Sequence, residues 1–214
     1  MEYRLESYRH AVEVLNSIPE YKKVWLEIQA ALDGISDEDI IEIHERKYSK
    51  QKSISKALNK LIEERMTDLG WDSESPIFSS PELNFSYDKR GYKKKSGVWR
   101  LDFAKESISV EVSFNHGEAI AWNLVKPVIA SEVNHVEKAI ETKIGVVICA
   151  TQDMKLSCGF DGAVGHYEKI LQYMLPLRSM LTIPIVIIGL EAPKTFDIEV
   201  IKINNKKKGF VRRI

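Results

Sequence analysis

Two uninterrupted apolar runs constrain this chain more than any other feature in it. Lys143–Ala150 reads KIGVVICA, and Pro184–Leu190 reads PIVIIGL. Runs of this length without polar alternation suit strands covered on both faces. Such strands lie inside sheets sandwiched by helices, which points to an α/β architecture. At 214 residues the chain is long enough to bury that core without disulfides or a structural metal.

The other elements follow from periodicity. Residues 4–17 and 20–32 carry apolar side chains at three- and four-residue intervals (Tyr8, Val12, Leu15; Val24, Ile28, Leu32), which predicts two amphipathic helices. Ser36, followed by Glu38 and Asp39, reads as the N-cap of a third helix near 37–47. A fourth is expected from about Ser53 to Leu69, ended by Gly70. Residues 72–97 are rich in Ser, Pro, Asp, Lys and Gly and read as an irregular surface loop holding short strands. Val98–Ala104 and Ser107–Phe114 alternate apolar and polar residues, as half-buried strands do. A long helix over Gly117–Ile140 with Pro127 inside it, a helix near 165–179 and an edge strand near Phe196–Ile203 complete the reading. The expectation is one unit over 1–214: a mainly helical N-terminal portion, 1–71, and a mixed β-sheet with flanking helices over 98–203.

Composition excludes several classes. No apolar run approaches the roughly 20 residues of a membrane span, and MEYRLESYRH lacks the layout of a signal peptide. The two cysteines, Cys149 and Cys158, have no metal-ligand spacing and fit a reducing cytoplasm. Net charge is zero, but its distribution is uneven. Basic residues bunch at Lys89, Arg90, Lys93, Lys94, Lys95 and Arg100, and again at Lys202, Lys206, Lys207, Lys208, Arg212 and Arg213. Segregation of this kind can offer a positive face to a phosphate backbone; it also suits solvated loops and a frayed tail.

Chemistry concentrates in Trp99–Phe114. If Glu106 and Ser107 form a two-residue hairpin turn, Asp102 lies directly across from Glu111. Leu101, Phe103, Val110 and Val112 then share the apolar face, while Asp102, Glu111, Ser109 and Ser113 share the other. Directly opposed like charges are destabilising, so the pair asks for a cation. Mg²⁺ takes oxygen ligands, keeps several waters, and serves phosphodiester hydrolysis. Ser113 stands on the same face and could orient a water. A surface hairpin with a hydrated acidic face has the same spacing.

Asp102-Phe103, six residues, and then Val110-Glu-Val-Ser-Phe114 resembles the active-site hairpin of the BglII/BstYI type II restriction endonucleases of the PD-(D/E)XK superfamily. The resemblance continues in order through Leu58-Asn59 to Gly70-Trp71, Asn123-Leu-Val-Lys126, His166-Tyr-Glu168 and Ile183–Gly189. It implies a restriction-endonuclease-like fold and a Mg²⁺-dependent, site-specific cut in double-stranded DNA, leaving 5′-phosphate ends at a short palindrome centred on GATC. It implies Asp102 and Glu111 as metal-binding carboxylates, the Val112 carbonyl as a further ligand, and Glu64 as a supporting acid. Ser113 departs from the family, which carries lysine or glutamine there, and this puts its water-activating role in doubt. Asn115 and His116 fall on a loop that meets base edges in the relatives. Ser157–Asp161 resembles a second recognition loop, and Lys93, Lys94 and Lys95 would contact phosphates.

Cutting both strands of a palindrome asks for two sites related by a two-fold axis, hence a homodimer. The apolar stripe Trp122, Val125, Ile129, Val133 and Val136 offers a subunit contact, or ordinary core. A methyltransferase partner in the same cell is expected. Two alternatives share the hairpin: a repair or recombination nuclease of the same superfamily, and a non-catalytic DNA-binding protein with a decayed site.

Overall fold

The structure is a computed structural model and describes residues 1–87, 90–91, 93–95, 99–133 and 135–214, with the side chains of 84–87 and 93–95 excepted. Its centre is a six-stranded mixed sheet. In chain order the strands are β1 (Tyr3–Tyr8), β2 (Asp72–Pro76), β5 (Arg100–Lys105), β6 (Ile108–Ser113), β7 (Ile144–Ala150) and β8 (Ile185–Leu190). They lie in the spatial order β1-β8-β7-β6-β5-β2. The middle strands β6, β7 and β8 run parallel, and the outer pairings are antiparallel. Every residue of β7 and β8 is buried, which is why neither run alternates.

One face of the sheet meets α1 (Ala11–Ser17), α2 (Pro19–Asp33), α3 (Asp37–Tyr48) and α4 (Ser55–Asp68). Trp25, Ile28, Leu32, Leu58 and Ile62 join Phe103, Ile108, Val110, Val146, Ile148 and Ile188 in the main core. Ser36 caps α3 as expected, exchanging hydrogen bonds with Asp39 in a full capping box. The other face meets α6 (Ile120–Glu132) and α8 (Tyr167–Met174), with Ile120, Leu124, Tyr167 and Ile170 against Val147, Ile185 and Ile187. Two glycines set how closely these helices approach. A Cβ on Gly145 would stand 2.8 Å from Pro127, and one on Gly189 would stand 2.5 Å from the Tyr167 ring. Helix α7 (Gln152–Ser157) leads out of β7. Outside the main sheet, α5 (Pro81–Asn84) precedes a small ribbon of β3 (Phe85–Tyr87) and β4 (Lys93–Lys95), and β9 (Phe196–Ile203) pairs with β10 (Lys206–Arg213).

Four expectations need correction. Tyr3–Tyr8 is strand, not the first turns of a helix: its period-two pattern covers the edge of β8 residue by residue, from Tyr3 opposite Leu190 to Tyr8 opposite Ile185. The C-terminal tail is not frayed, because Asn204 and Asn205 take the left-handed backbone that a two-residue hairpin turn demands and so return the chain as β10. The long helix over 117–140 is confined to Ile120–Glu132, and Pro127 is accommodated inside it. The helix expected near 165–179 is shorter, Tyr167–Met174.

Candidate active site

The hairpin that carries the acids forms in the expected register. Lys105 pairs with Ile108, Ala104 with Ser109 and Phe103 with Val110. Glu106, at φ 50°, turns the chain. Extending the register by one step sets Asp102 opposite Glu111, but the regular ladder stops at Phe103–Val110. There the backbone N–H of Val112 donates to Oδ2 of Asp102 at 2.7 Å, so a carboxylate takes a main-chain donor. The shared apolar face is correspondingly split. Phe103 and Val110 enter the main core, whereas Leu101 packs with Ala104, Ile77, Phe78 and Ala130 in a separate cluster.

The site lies where the two strands part. Asp102, Phe103 and Val112 line a cleft with Asn59 and Glu63 of α4 and Ser73 and Glu74 of β2. Glu74 lies on β2, the strand antiparallel to β5, and holds φ at 53°, a conformation a non-glycine residue adopts at a cost. Glu111 does not line this cleft: it is 1 % exposed, and its carboxylate is paired with the ammonium of Lys126, itself 7 % exposed. The same ammonium donates to the Arg100 carbonyl at 3.0 Å. Glu111 Oε1 is buried with no hydrogen-bond partner among the described residues.

Electrostatics follow from that burial. Desolvation, reinforced by the charge on Asp102 and opposed by Lys126, pushes the Glu111 carboxyl up to about 8. Burial also raises Asp102, against the Val112 N–H and Lys126. The charge of Asp102 thus weighs on Glu111, and Lys126 partly offsets it.

The remaining predicted residues divide. Ser113 is 0 % exposed and turned toward α6: its Oγ accepts from Asn123 Nδ2 at 2.8 Å and lies 3.4 Å from Asn115 Oδ1 as donor. That withdraws it from a water-facing position, because neighbours already occupy its hydroxyl. Glu64 pairs instead with Lys60 (3.6 Å) and Lys47 (3.9 Å) and does not line the cleft. Glu63, one residue earlier and one helical turn from Asn59, is the acid that lines the cleft. Asn115 and His116 are exposed, and their loop is tied to the loop after α7: Gly165 N–H donates to Asn115 O, Gly117 N–H to Ala163 O, and His116 bridges Val164. Asp161, in that second loop, is exposed and paired with Lys52. Ser157 ends α7, where its hydroxyl donates to the Asp153 carbonyl at 2.8 Å. Lys93–Lys95 form β4, and their side chains lie outside the described residues.

Lys126 is the residue that composition and spacing miss. Its signal is a lysine on the buried side of α6, one turn after the buried Asn123. Glu168, in the His166–Glu168 segment, is a structural link. Its carboxylate accepts from Gln152 N–H and sits 3.0 Å from His166 Nδ1, joining α7 to α8.

A profile of the family described as restriction endonuclease BglII/BglIII matches residues 3–190. The chain belongs to that family. Family membership makes it a type II restriction endonuclease, a hydrolase that cuts DNA. Two solved structures share its fold over the whole of both chains: restriction endonuclease BglII complexed with a DNA 16-mer (TM-score 0.63, 19 % identity) and free BglII (TM-score 0.56, 16 % identity). No curated protein matches the sequence. Among the described residues no helix is long and apolar enough to cross a membrane.

The family uses divalent metal, and the donors here can be tested against that need. Among the described residues no three His, Cys, Asp or Glu side chains converge on one point. Asp102 and Glu111 stand on adjacent strands, the charge of Asp102 acts on Glu111, and Glu111 Oε1 is buried without a hydrogen-bond partner among the described residues. An all-oxygen pair with one oxygen uncommitted fits a hard cation that keeps most of its own waters.

Proposed function

We propose that the chain is a Mg²⁺-dependent, site-specific endonuclease of the PD-(D/E)XK superfamily, acting on double-stranded DNA as a homodimer. The observation that carries this reading is the Asp102–Glu111 pair at the parting of β5 and β6, with Glu111 Oε1 unpaired among the described residues. The BstYI-like reading adds a short palindrome centred on GATC, a staggered cut with 5′-phosphate ends, and a methyltransferase partner in a cytoplasmic setting.

Asp102, Glu111 and the Val112 carbonyl would hold the ion. Mg²⁺, when bound, supplies a hard Lewis acid that polarises a phosphate oxygen and acidifies water. The chain's own residues set the geometry. The Val112 N–H fixes the Asp102 carboxylate at the mouth of the cleft. Lys126, anchored on the Arg100 carbonyl, keeps Glu111 oriented and favours its charged form. In the reaction a water oxygen bonds to phosphorus as the bond to the 3′ oxygen breaks; the water's proton leaves to solvent or phosphate, and the departing 3′ oxygen takes up a proton from solvent to become a hydroxyl. Ser113 takes no part in that transfer; through Asn123 and Asn115 it braces the base-reading loop.

The dimer rests on the need to cut two strands, because the apolar stripe from Trp122 to Val136 is largely committed within the chain. Trp122 stacks edge-on to Trp99, and Ile129, Val133 and Val136 pack on the Phe78 cluster.

Incubation with plasmid of known sequence and Mg²⁺, followed by run-off sequencing of the ends, tests the reading. Discrete fragments with a common end sequence are expected. Asp102→Ala and Glu111→Ala should each abolish cutting and leave binding in Ca²⁺ intact. Smears or branch-dependent cuts would point to a repair nuclease, and binding without cleavage to a decayed site. Robust cutting by either variant would remove that carboxylate from the mechanism.

A further inference from the structure

The sequence bunches six basic residues near the C-terminus, and the structure sorts them into two kinds. Arg212 is paired with Asp197, and Arg213 with Glu38, so these charges are spent on holding β10 in place. Lys202, Lys206, Lys207 and Lys208 cluster at the tip of the β9–β10 hairpin and form no ion pair among the described residues. Lys202 and Lys207 are directly opposed in the ladder. Two like charges in that position destabilise a ribbon. A hairpin that keeps them is arranged to meet an anion.

The base of the hairpin is fixed firmly enough to aim its tip. Phe196 and Ile198 are buried in the main core. Gly209 N–H donates to the Gln51 carbonyl at 2.9 Å, and its own carbonyl meets His44 Nε2 at 3.3 Å. The approach is so close that a Cβ on Gly209 would stand 2.2 Å from the Lys52 carbonyl. Gly159, in the loop after α7, meets that same carbonyl: a Cβ there would stand 2.3 Å from it. Hairpin and loop are thus seated on one point of the backbone. Lys202 and Lys207 alternate onto the face that carries Gly209, Ile198 and Phe196, the face turned to the body. The charge of Lys207 is felt at Asp161 in that loop.

We infer that the hairpin tip is a phosphate-binding arm that tracks the DNA backbone beside the recognition loops, with Lys202 and Lys207 as its principal contacts and Lys206 and Lys208 as auxiliaries. The hairpin lies beyond residue 190, where the match to the family profile ends. The inference rests on the proposal that this enzyme binds duplex DNA. Contacts of this kind position an enzyme and lengthen its grip without reading sequence. They also release counterions, and this gives them a measurable signature.

The test is equilibrium binding in Ca²⁺ across a salt series, using a long duplex with the cleavage site and a long duplex without it. The proteins are the full chain, Lys202→Gln/Lys207→Gln and Lys206→Gln/Lys208→Gln. Each lost phosphate contact should shallow the slope of log affinity against log salt by about 0.9. The first double variant should therefore lose slope by about twice that, equally on both duplexes, with the cut position in Mg²⁺ unchanged. Thermal unfolding should show no loss of stability, since a like-charge pair has been removed. Unchanged slope in both double variants would overturn the arm. So would an unchanged slope with a shift from dimer to monomer on gel filtration, which would make the hairpin a subunit contact. If the full chain cuts no DNA but the variants still lose salt-dependent binding, the arm stands and the nuclease reading fails.

Discussion

The ammonium of Lys126 rests on the carboxylate of Glu111, both groups almost wholly out of water, at the junction of α6 and β6. A lysine delivered from a helix thus supplies the cation beside Glu111. Breaking a buried pair by removing one partner strands the other charge, at a cost of about 3–5 kcal/mol when it cannot neutralise itself. Glu111 can take up a proton, so Lys126→Met should cost less than that range in stability and more in function. The expected outcome is a fall of roughly 10²-fold or more in single-turnover cleavage, with a weaker Mg²⁺ dependence. Lys126→Arg should recover part of it. Thermal unfolding together with rapid-quench kinetics decides the matter, and wild-type cleavage by Lys126→Met would reduce the lysine to packing.

The pH dependence of the metal-free protein follows from the same burial. The Glu111 carboxyl titrates near 8 in the folded chain against an ordinary value near 4.5. Between those values the folded state binds more protons than the unfolded state, so stability must fall as pH rises. Below about 4.5 the Glu111 contribution is complete, and by about 8 it is lost. One proton corresponds to a slope of at most about 1.4 kcal/mol per pH unit. Asp102, raised in the same direction by burial, adds to the decline. Urea unfolding from pH 5 to 8.5 should show the decline, and Glu111→Gln should flatten it. Mg²⁺ should restore stability most at high pH, with proton release on binding below pH 8.

The large elements were legible because their signals are local. KIGVVICA and PIVIIGL announce buried strands by composition, Ser36 and Asp39 announce a capped helix, and the Asp102–Glu111 register follows once a two-residue turn is assumed. What escaped depends on distant partners. Tyr3–Tyr8 becomes strand only because β8 offers it an edge. Glu63 and Glu64 are indistinguishable on a helix until β2 and β5 show which side the cleft is on. Lys126 reads as an ordinary lysine until Glu111 is packed beneath it.

Gly189 offers a test of the packing that holds α8 to the sheet. It lies in the fully buried β8 under the ring of Tyr167, and an added methyl would meet that ring at 2.5 Å. Something must shift to admit the methyl, so Gly189→Ala should destabilise by about 1–3 kcal/mol, the usual cost of overpacking. Tyr167→Leu in the same chain removes the clash, and the double variant should recover part of the loss in urea unfolding. Strict additivity of the two substitutions would show that the contact carries no strain.

Asn123 connects β6 to the Asn115–His116 loop, and if that loop reads bases as proposed, its removal should separate cutting from recognition. It is buried on α6, gives one N–H to Ser113 Oγ at 2.8 Å, and reaches Asn115 Oδ1 at 3.4 Å. Asn123→Ala leaves Ser113 without its donor, at a cost of about 1–3 kcal/mol for an unsatisfied buried group. Asp102, Glu111 and Lys126 keep their mutual contacts, so the chemistry at a bound phosphate should survive. Asn115, no longer braced, loses the fixed orientation that bidentate reading of a base edge needs, and each such contact is worth about 1–3 kcal/mol of discrimination. The expected result is cleavage of the cognate duplex within about tenfold of wild type, a shift set by the loosened pose. Cleavage of duplexes with one altered base pair should rise relative to it. Competition between cognate and altered duplexes in one reaction measures the ratio directly. An unchanged ratio with reduced cutting of both would place Asn123 in the catalytic machinery instead of the recognition loop.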